Sequence, residues 1–467
     1  MKRFFRATSD GSSIGLVLAG TEDKSVAVVV HPKFWGPGPT CHRLRLEIDG
    51  KFGCVAVGES DVVECDAEVA DLLLRPRGVT SIGGQPTSSL LAPIREPPTY
   101  EDEVLAVRPI EVAVALERLV RNVGIGSFLV DPSGGIGLHS RHRFLRPILY
   151  RMFVDEVERR IGVVRRKYVW AEERATVIRG QPDARSLILH TETGWPMITC
   201  RFEDFNFSVP HVMAICTALE TIANDRSVAN PPFDVVGSLR ENAISLRRHL
   251  DEVPALPREE ALAAAGMALR AGQLGGLTQA LNLAVAVLEP RDGLIFGSAG
   301  QSVEIAVNSA RLWELIVHRV LTEAGWVVLD GSTSGAPLAR VDTPWRGLGG
   351  GAARPDFVVR RGDRRWILDA KYKVLEAVPA VADLYQMFAY SHLVEPTSTS
   401  SSEAIGLIYP TRTERSPRRL GPHERSGTVG AHLMLLEAEF PTMGLDGSKW
   451  RRYLRDEADR LGTHLAR

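Results

Sequence analysis

The pattern of hydrophobic and polar positions divides the chain into three segments. The first hundred or so residues carry short β-prone runs at Gly15 to Ala19, Ser25 to Val30, Leu44 to Ile48 and Val55 to Val57, broken by Gly, Asp and Pro. A stretch around Pro86, Pro93, Pro97 and Pro98 reads as a linker. Helical spacing begins after it. Ile110 to Val123 places apolar residues at 110, 113, 116, 119 and 120, and Phe144 to Ile161 continues that character. A strand-like patch is expected over Ala175 to His190, then a strand over Met197 to Phe202. Ser208 is placed to cap a helix from Val209 to Ile222. Helices over Leu239 to Leu250, Glu259 to Ala271 and Leu277 to Leu288 bring the middle segment to Pro290. The remainder reads helix, strand, hairpin, helix, strand, and opens with a helix predicted over Val303 to Ala324. The expectation is a β-rich domain over 1–100, a mixed, mainly helical domain over 101–295 and a sheet flanked by helices over 296–467. The chain as a whole would then be α/β, in the broader α+β sense.

The hairpin of the last segment is where chemistry gathers. Two apolar runs flank Gly362-Asp363, a dipeptide suited to a two-residue turn with Gly at the positive-φ position. With that turn at the tip, Asp356 falls opposite Asp369, and facing residues have Cβ atoms about 4.5–5.5 Å apart. Two carboxylates so close repel unless a cation lies between them. Lys371, two residues past Asp369, shares its face by the pleat. Two carboxylates and a lysine are what a hard divalent cation and an attacking water require, with the backbone C=O of Ala370 as a further ligand. A hairpin bearing Asp and Lys is also common as plain structure, so the neighbouring elements matter.

Glu314 lies among apolar residues in Leu312-Trp313-Glu314-Leu315-Ile316-Val317, where an unpaired carboxylate is costly. It reads either as a member of the acidic cluster or as an exposed helix charge. Downstream, Asp383, Gln386 and Tyr390 share one helix face at spacings of three and four. Gln386 is a candidate to reach phosphate or the attacking water, against the alternative of a polar surface stripe. Ala404 to Tyr409 is a continuous apolar run, as expected of a buried strand. It exits into Arg412, Arg415, Arg418 and Arg419, which suit a phosphate backbone or a solvated loop. The same two readings stand for Arg141-His142-Arg143 and Arg165-Arg166-Lys167.

Composition changes this picture little. The chain has 467 residues, 44% of them hydrophobic and 24% charged, with a formal net charge of −1. No apolar run approaches the length of a membrane span, and no apolar signal segment follows Met1-Lys2-Arg3, so a cytoplasmic location without membrane attachment is expected. The five cysteines contain no C-x-x-C pair, which argues against a zinc site or a disulfide framework. A near-zero net charge leaves room for a local basic groove. No G-x-x-x-x-G-K-[ST] phosphate loop occurs, and Gly134 to Gly137 and Gly349 to Gly351 read as surface loops.

With these residues in view, the C-terminal part resembles the PD-(D/E)xK nuclease superfamily and, more narrowly, the McrC family of nuclease subunits. The residues that carry the resemblance are Arg354-Pro355-Asp356, Leu368-Asp369-Ala370-Lys371-Tyr372-Lys373, Asp383 to Tyr390 and Leu407-Ile408-Tyr409-Pro410. Asn308 to Glu314 is similar to the family's helix bearing an acidic residue. Tyr168 to Gly180 and Cys200 to Phe205 add weaker echoes, and His211 stands where the family's asparagine is expected. The resemblance implies a restriction-endonuclease-like mixed sheet, with Asp356, Asp369, Lys371, Glu314 and Gln386 as catalytic residues. It implies Mg²⁺, replaceable by Mn²⁺, held by Asp356, Asp369, Glu314 and the Ala370 carbonyl, and DNA contacted by the four arginines and Tyr390. It also implies an AAA+ GTPase or ATPase partner like McrB, with no nucleotide on this chain. A stand-alone nuclease of the same superfamily, and a non-catalytic scaffold for the motor, are the competing readings.

Overall fold

The computed structural model describes residues 3–7, 13–20, 25–35, 43–48, 51–52, 56–57, 62–65, 67–74, 78–84, 89–93, 109–125, 145–164, 167–206, 209–225, 239–272, 274, 276–289, 302–331, 355–362, 364–375, 378–393, 403–412, 419–423, 433–443 and 445–466. They fall into two compact units, one made of 1–137 with 295–467 and the other of 138–294. The first unit thus joins residues of the first and last of the three expected segments.

The reason lies in residues 302–308. The helix expected from Val303 is a strand over Ser302–Asn308, followed by a helix over Ser309–Glu323. The strand pairs antiparallel with Ser13–Gly20 and parallel with Gly78–Ile82, inside a six-stranded sheet of otherwise N-terminal strands. Alternating β-branched residues favour the strand, and Asn308 stops it by capping the helix, its Oδ1 accepting the Arg311 N–H at 2.9 Å. Glu304 is buried in that strand and is satisfied by the Ser89 hydroxyl at 2.8 Å and the Leu90 N–H at 2.6 Å. A helix-period reading cannot see such a strand, because its partners lie more than two hundred residues upstream. The helix Pro109–Val123 also belongs to this unit and packs on Ser25–His31. Pro93, expected in a linker, ends a short strand over Leu91–Pro93.

The C-terminal sheet is mixed, in the order Val327–Gly331, Phe357–Arg361, Arg364–Ala370, Glu403–Thr411, Leu433–Glu439, Arg419–His423. Arg364–Ala370, Glu403–Thr411 and Leu433–Glu439 run parallel, and the remaining pairs are antiparallel. Residues 405–410 are buried throughout, as their unbroken apolar character predicts. Met387 and Tyr390, from the helix Val381–Leu393, share a core with Val358, Ile367, Ile405, Leu407 and Tyr409. By the two-residue period, Asp356 and Asp369 point to that same face. The helix Ser309–Glu323 packs on Gly447–Ala466 and against the strands Val327–Gly331 and Arg364–Ala370.

In the second unit, helices Leu145–Arg160, Pro210–Asn224, Leu239–His249, Arg258–Ala271 and Thr278–Leu288 pack on one another. Beside them a three-stranded sheet joins Lys167–Ala175, Ile198–Asn206 and Gln181–Pro182, with a helix over Ala184–Thr193. The strand-like patch expected over 175–190 is therefore the end of one strand, a two-residue strand and most of a helix. Asp183 starts that helix, its carboxylate accepting the Ser186 N–H at 2.9 Å. Gly194 ends it at φ 66°. The helix Pro210–Asn224 begins at a proline, and its N-cap position is Val209, with no side-chain cap; Ser208 lies outside the described residues. No helix among the described residues is long and apolar enough to cross a membrane.

Candidate active site

The hairpin adopts the register the Gly362-Asp363 turn implies: Phe357 pairs with Leu368, and Arg361 with Arg364. Gly362 takes φ +60° with open space around it, the left-handed conformation for which glycine is suited. Asp356 immediately precedes the paired stretch, and its Oδ2 accepts the Ala370 N–H at 2.7 Å. Asp369, one residue earlier on the opposite strand, is 1% exposed.

Lys371 lies just beyond that strand, held by its own N–H donating to the Ile408 carbonyl at 2.9 Å. Its ammonium forms an ion pair with Asp369 Oδ2 and donates to Gln386 Oε1 at 2.8 Å. Asp369 Oδ2 has that ion pair but no hydrogen bond of ordinary geometry. Gln386 passes the link on, its Nε2 donating to the Tyr390 hydroxyl at 2.7 Å. The amide orientation follows, since Oε1 must face the ammonium.

Burial drives the electrostatics. It raises the Asp356 carboxyl well above the usual carboxylate range, with Asp369 and then Glu314 adding repulsion. Burial also raises Asp369, against the opposing attraction of Lys371. Burial pushes the Tyr390 hydroxyl up to about 12, so it stays protonated at neutral pH. Burial thus works against ionisation of both carboxyls, and the Asp369 charge works further against that of Asp356.

Glu314 lies close enough for its charge to act on Asp356 and pairs with Arg311 at 2.6 Å. Among the described residues, no group of three or more His, Cys, Asp or Glu side chains stands in metal-holding geometry. Asp383, which shares a helix with Gln386 and Tyr390, takes a different place: it is buried, paired with Lys373 and hydrogen-bonded by the Tyr409 hydroxyl at 3.3 Å. Spacing flagged Asp383 without its partners. Lys373, two residues past Lys371, was legible as a second cation on the same face. Arg412 donates to the Lys33 carbonyl at 3.5 Å. Arg415 and Arg418 lie outside the described residues, and Arg419 opens an edge strand. Arg141, His142, Arg143, Arg165 and Arg166 also lie outside them, while Lys167 starts a strand.

The family model for the McrBC 5-methylcytosine restriction system component matches residues 136–410, more than half of the chain. The chain belongs to this family. No curated protein matches it. Two solved structures from Thermococcus gammatolerans are similar in part. One is a refined half-complex from a tetradecameric assembly of McrB AAA+ hexamers with bound McrC, 15% identical over 76% of this chain and 76% of that one, at a TM-score of 0.35. The other is a cryo-EM structure of the McrBC complex, 14% identical over 46% of this chain and 59% of that one, at a TM-score of 0.24. The family match spans the middle unit and the hairpin Phe357–Ala370 and stops inside the strand Glu403–Thr411.

Proposed function

We propose that the chain is the nuclease subunit, the McrC role, of an McrBC-type restriction system: a Mg²⁺-dependent DNA endonuclease coupled to an AAA+ motor. The observation that carries this reading is the hairpin register that brings Asp356, Asp369 and Lys371 together at one buried sheet end. The donor set fits the metal. Asp356, Asp369 and the Ala370 carbonyl offer hard oxygen donors, with Glu314 close enough to support them electrostatically. Mg²⁺ keeps several waters and takes few protein ligands, so two carboxylates suffice. The two hindered carboxyls would both ionise with a cation between them. Mn²⁺ has similar ligand preferences.

When bound, the metal supplies an activated water and neutralises charge on the phosphate. The chain's own residues do the rest. Lys371 donates to the water and to the non-bridging oxygen on which charge develops. Gln386, held by Lys371 and Tyr390, limits where that ammonium can point. The arginines at 412, 415, 418 and 419 are proposed to contact the DNA backbone, whereas Tyr390, expected there from the sequence, is buried in the core and holds Gln386.

Coupling to a motor is supported by family membership and by the middle unit. Its strand Lys167–Ala175 exposes Tyr168 and Trp170, and the neighbouring Val177, Ile178, Ile188, Leu189 and Trp195 are exposed as well. Apolar side chains clustered in one small subdomain mark a protein-docking surface.

The test is cleavage of methylated and unmethylated plasmid with Mg²⁺ or EDTA, with and without a candidate AAA+ motor and its nucleotide. Cutting that requires Mg²⁺, the partner and Asp369 supports the reading. Cutting without the partner moves it to a stand-alone nuclease. No cutting, with the partner's nucleotide hydrolysis still stimulated, leaves a scaffold.

A further inference from the structure

A single helical turn from the N-terminal sheet region lies against the backbone that carries the catalytic lysine. It spans Lys33–Trp35, directly after the strand Ser25–His31 and the His31-Pro32 step. Phe34 stacks on Phe440, with ring centroids 5.3 Å apart, and meets Tyr372 edge-on at 5.3 Å. Trp35 Nε1 donates to the Pro441 carbonyl at 2.6 Å. Phe440 in turn stacks on Trp313 at 5.9 Å. The Trp313 indole N–H donates to the Ile408 carbonyl at 3.3 Å, and that carbonyl also accepts the Lys371 N–H at 2.9 Å.

Packing alone would call only for the aromatic residues. Lys33 adds a polar contact: Nζ donates to the Tyr372 carbonyl at 3.4 Å and lies 5.0 Å from the centre of its ring and 5.5 Å from that of Phe34. Tyr372 is the residue between Lys371, paired with Asp369, and Lys373, paired with Asp383. The Lys373 N–H donates back to the Lys371 carbonyl at 2.8 Å, so these three residues form one tight turn. Lys33 therefore grips the middle of the turn whose first residue carries the proposed catalytic ammonium.

We infer that Lys33 is a positioning residue for Lys371, and that through it the N-terminal sheet region sets the geometry of the nuclease centre. The inference rests on the nuclease reading above. Releasing the Tyr372 carbonyl removes one restraint on the backbone at 371–373 and leaves the Lys371 N–H bond to Ile408 and the Lys373 N–H bond to Lys371 in place. A displacement of about 1 Å in a reacting group can cost on the order of 10²-fold in rate. Asp356 and Asp369 are held by the hairpin itself, so metal binding should not depend on Lys33.

The variants are Lys33→Met, which keeps the apolar stem and removes the charge, and Lys33→Arg, which restores a cation. They are assayed as full-length chain with the motor partner, beside wild type and Asp369→Ala. Lys33→Met is expected to lower kcat about tenfold while leaving KM for DNA within about twofold. Calorimetric Mg²⁺ binding and the thermal midpoint should stay near wild type, and Lys33→Arg should recover most of the rate. Wild-type kcat in Lys33→Met would overturn the inference and leave the nuclease reading intact. So would parallel loss of kcat, Mg²⁺ binding and thermal midpoint, which would mark Lys33 as a structural strut. Failure of wild type to cut in every condition would overturn the nuclease reading itself, and this inference with it.

Discussion

Each compact unit contains an antiparallel strand pair, and the two pairs hide and show opposite kinds of residue. The pair 357–370 turns charge inward, with Asp369 1% exposed and Asp356 tied to the facing backbone. The pair 167–206 turns apolar surface outward, with Tyr168 71% and Trp170 66% exposed, and the helix Ala184–Thr193 beside it has no buried residue. Buried charge and exposed aromatic surface are both unfavourable in an isolated chain. In the proposed function each would be relieved from outside: the first by a cation and a phosphate, the second by a protein surface. The contrast separates chemistry from coupling, and the two can be broken independently.

The largest effect is expected at the inward-facing pair. Asp369→Ala removes a proposed metal ligand and the partner of Lys371, and Lys371→Ala removes the proposed donor to the developing charge. Each should lower the plasmid cleavage rate by at least about 10²–10³-fold. Neither should weaken assembly with the motor, measured by co-sedimentation. Equal loss of assembly would mean that the two regions are not separable.

Next in size is the outward-facing pair. Replacing Tyr168 and Trp170 with Ala should weaken binding to the motor by about 2 kcal/mol or more, roughly thirtyfold, as aromatic anchors commonly do. The thermal midpoint should hardly move, because neither side chain is buried in the free chain. Unchanged affinity in a titration with the motor would remove these residues from the interface.

How much of this was legible beforehand follows the range of the interactions involved. The candidate hairpin is local: a Gly-Asp turn and a two-residue period suffice to set Asp356 against Asp369 and Lys371 on their face. The strand Ser302–Asn308 is not local, since its partners are Ser13–Gly20 and Gly78–Ile82, and its residues read as the start of a helix. Lys33 was invisible for the same reason, standing 339 positions from the carbonyl it contacts. The exposure of Tyr168 and Trp170 was hidden too, because aromatic residues in a strand ordinarily read as core. Gln386 and Tyr390 were legible from helix spacing, but Asp383 was grouped with them when its partners are Lys373 and Tyr409.

A smaller effect is a stability profile in pH. Burial raises Asp356 and Asp369 above the ordinary carboxylate value of 3.8, with repulsion from Asp369 and Glu314 adding to it at Asp356. The folded state therefore holds these protons more tightly than the unfolded chain does. Without metal, stability contributed by the pair is present at low pH and is lost as pH rises from the ordinary carboxylate value through the raised folded one. Saturating Mg²⁺ should cancel or reverse that slope, because a bound cation favours the ionised pair. Thermal midpoints between about pH 5 and pH 8, with Mg²⁺ or EDTA, provide the check. Asp356→Asn should flatten the metal-free slope, whereas the Tyr168 and Trp170 replacements should leave it unchanged.

The smallest effects distinguish the strand pairs by their glycines. Gly362 and Gly180 both hold positive φ, +60° and +74°. A Cβ at Gly362 would meet nothing within 4 Å, so Gly362→Ala should cost only the left-handed backbone penalty of about 1–2 kcal/mol. At Gly180 the same Cβ would overlap the Arg201 carbonyl and come within 2.7 Å of Phe202 Cβ. Strand Ile198–Asn206 would have to shift, adding about 1–3 kcal/mol of strain. Hydrogen exchange should therefore show faster opening of 167–206 in Gly180→Ala, while 357–370 keeps most of its protection in Gly362→Ala. Equal loss of protection in the two variants would mean that 167–206 tolerates the bulk by bending. Its exposed surface would then be a pliable one, shaped by the partner instead of presented ready-made to it.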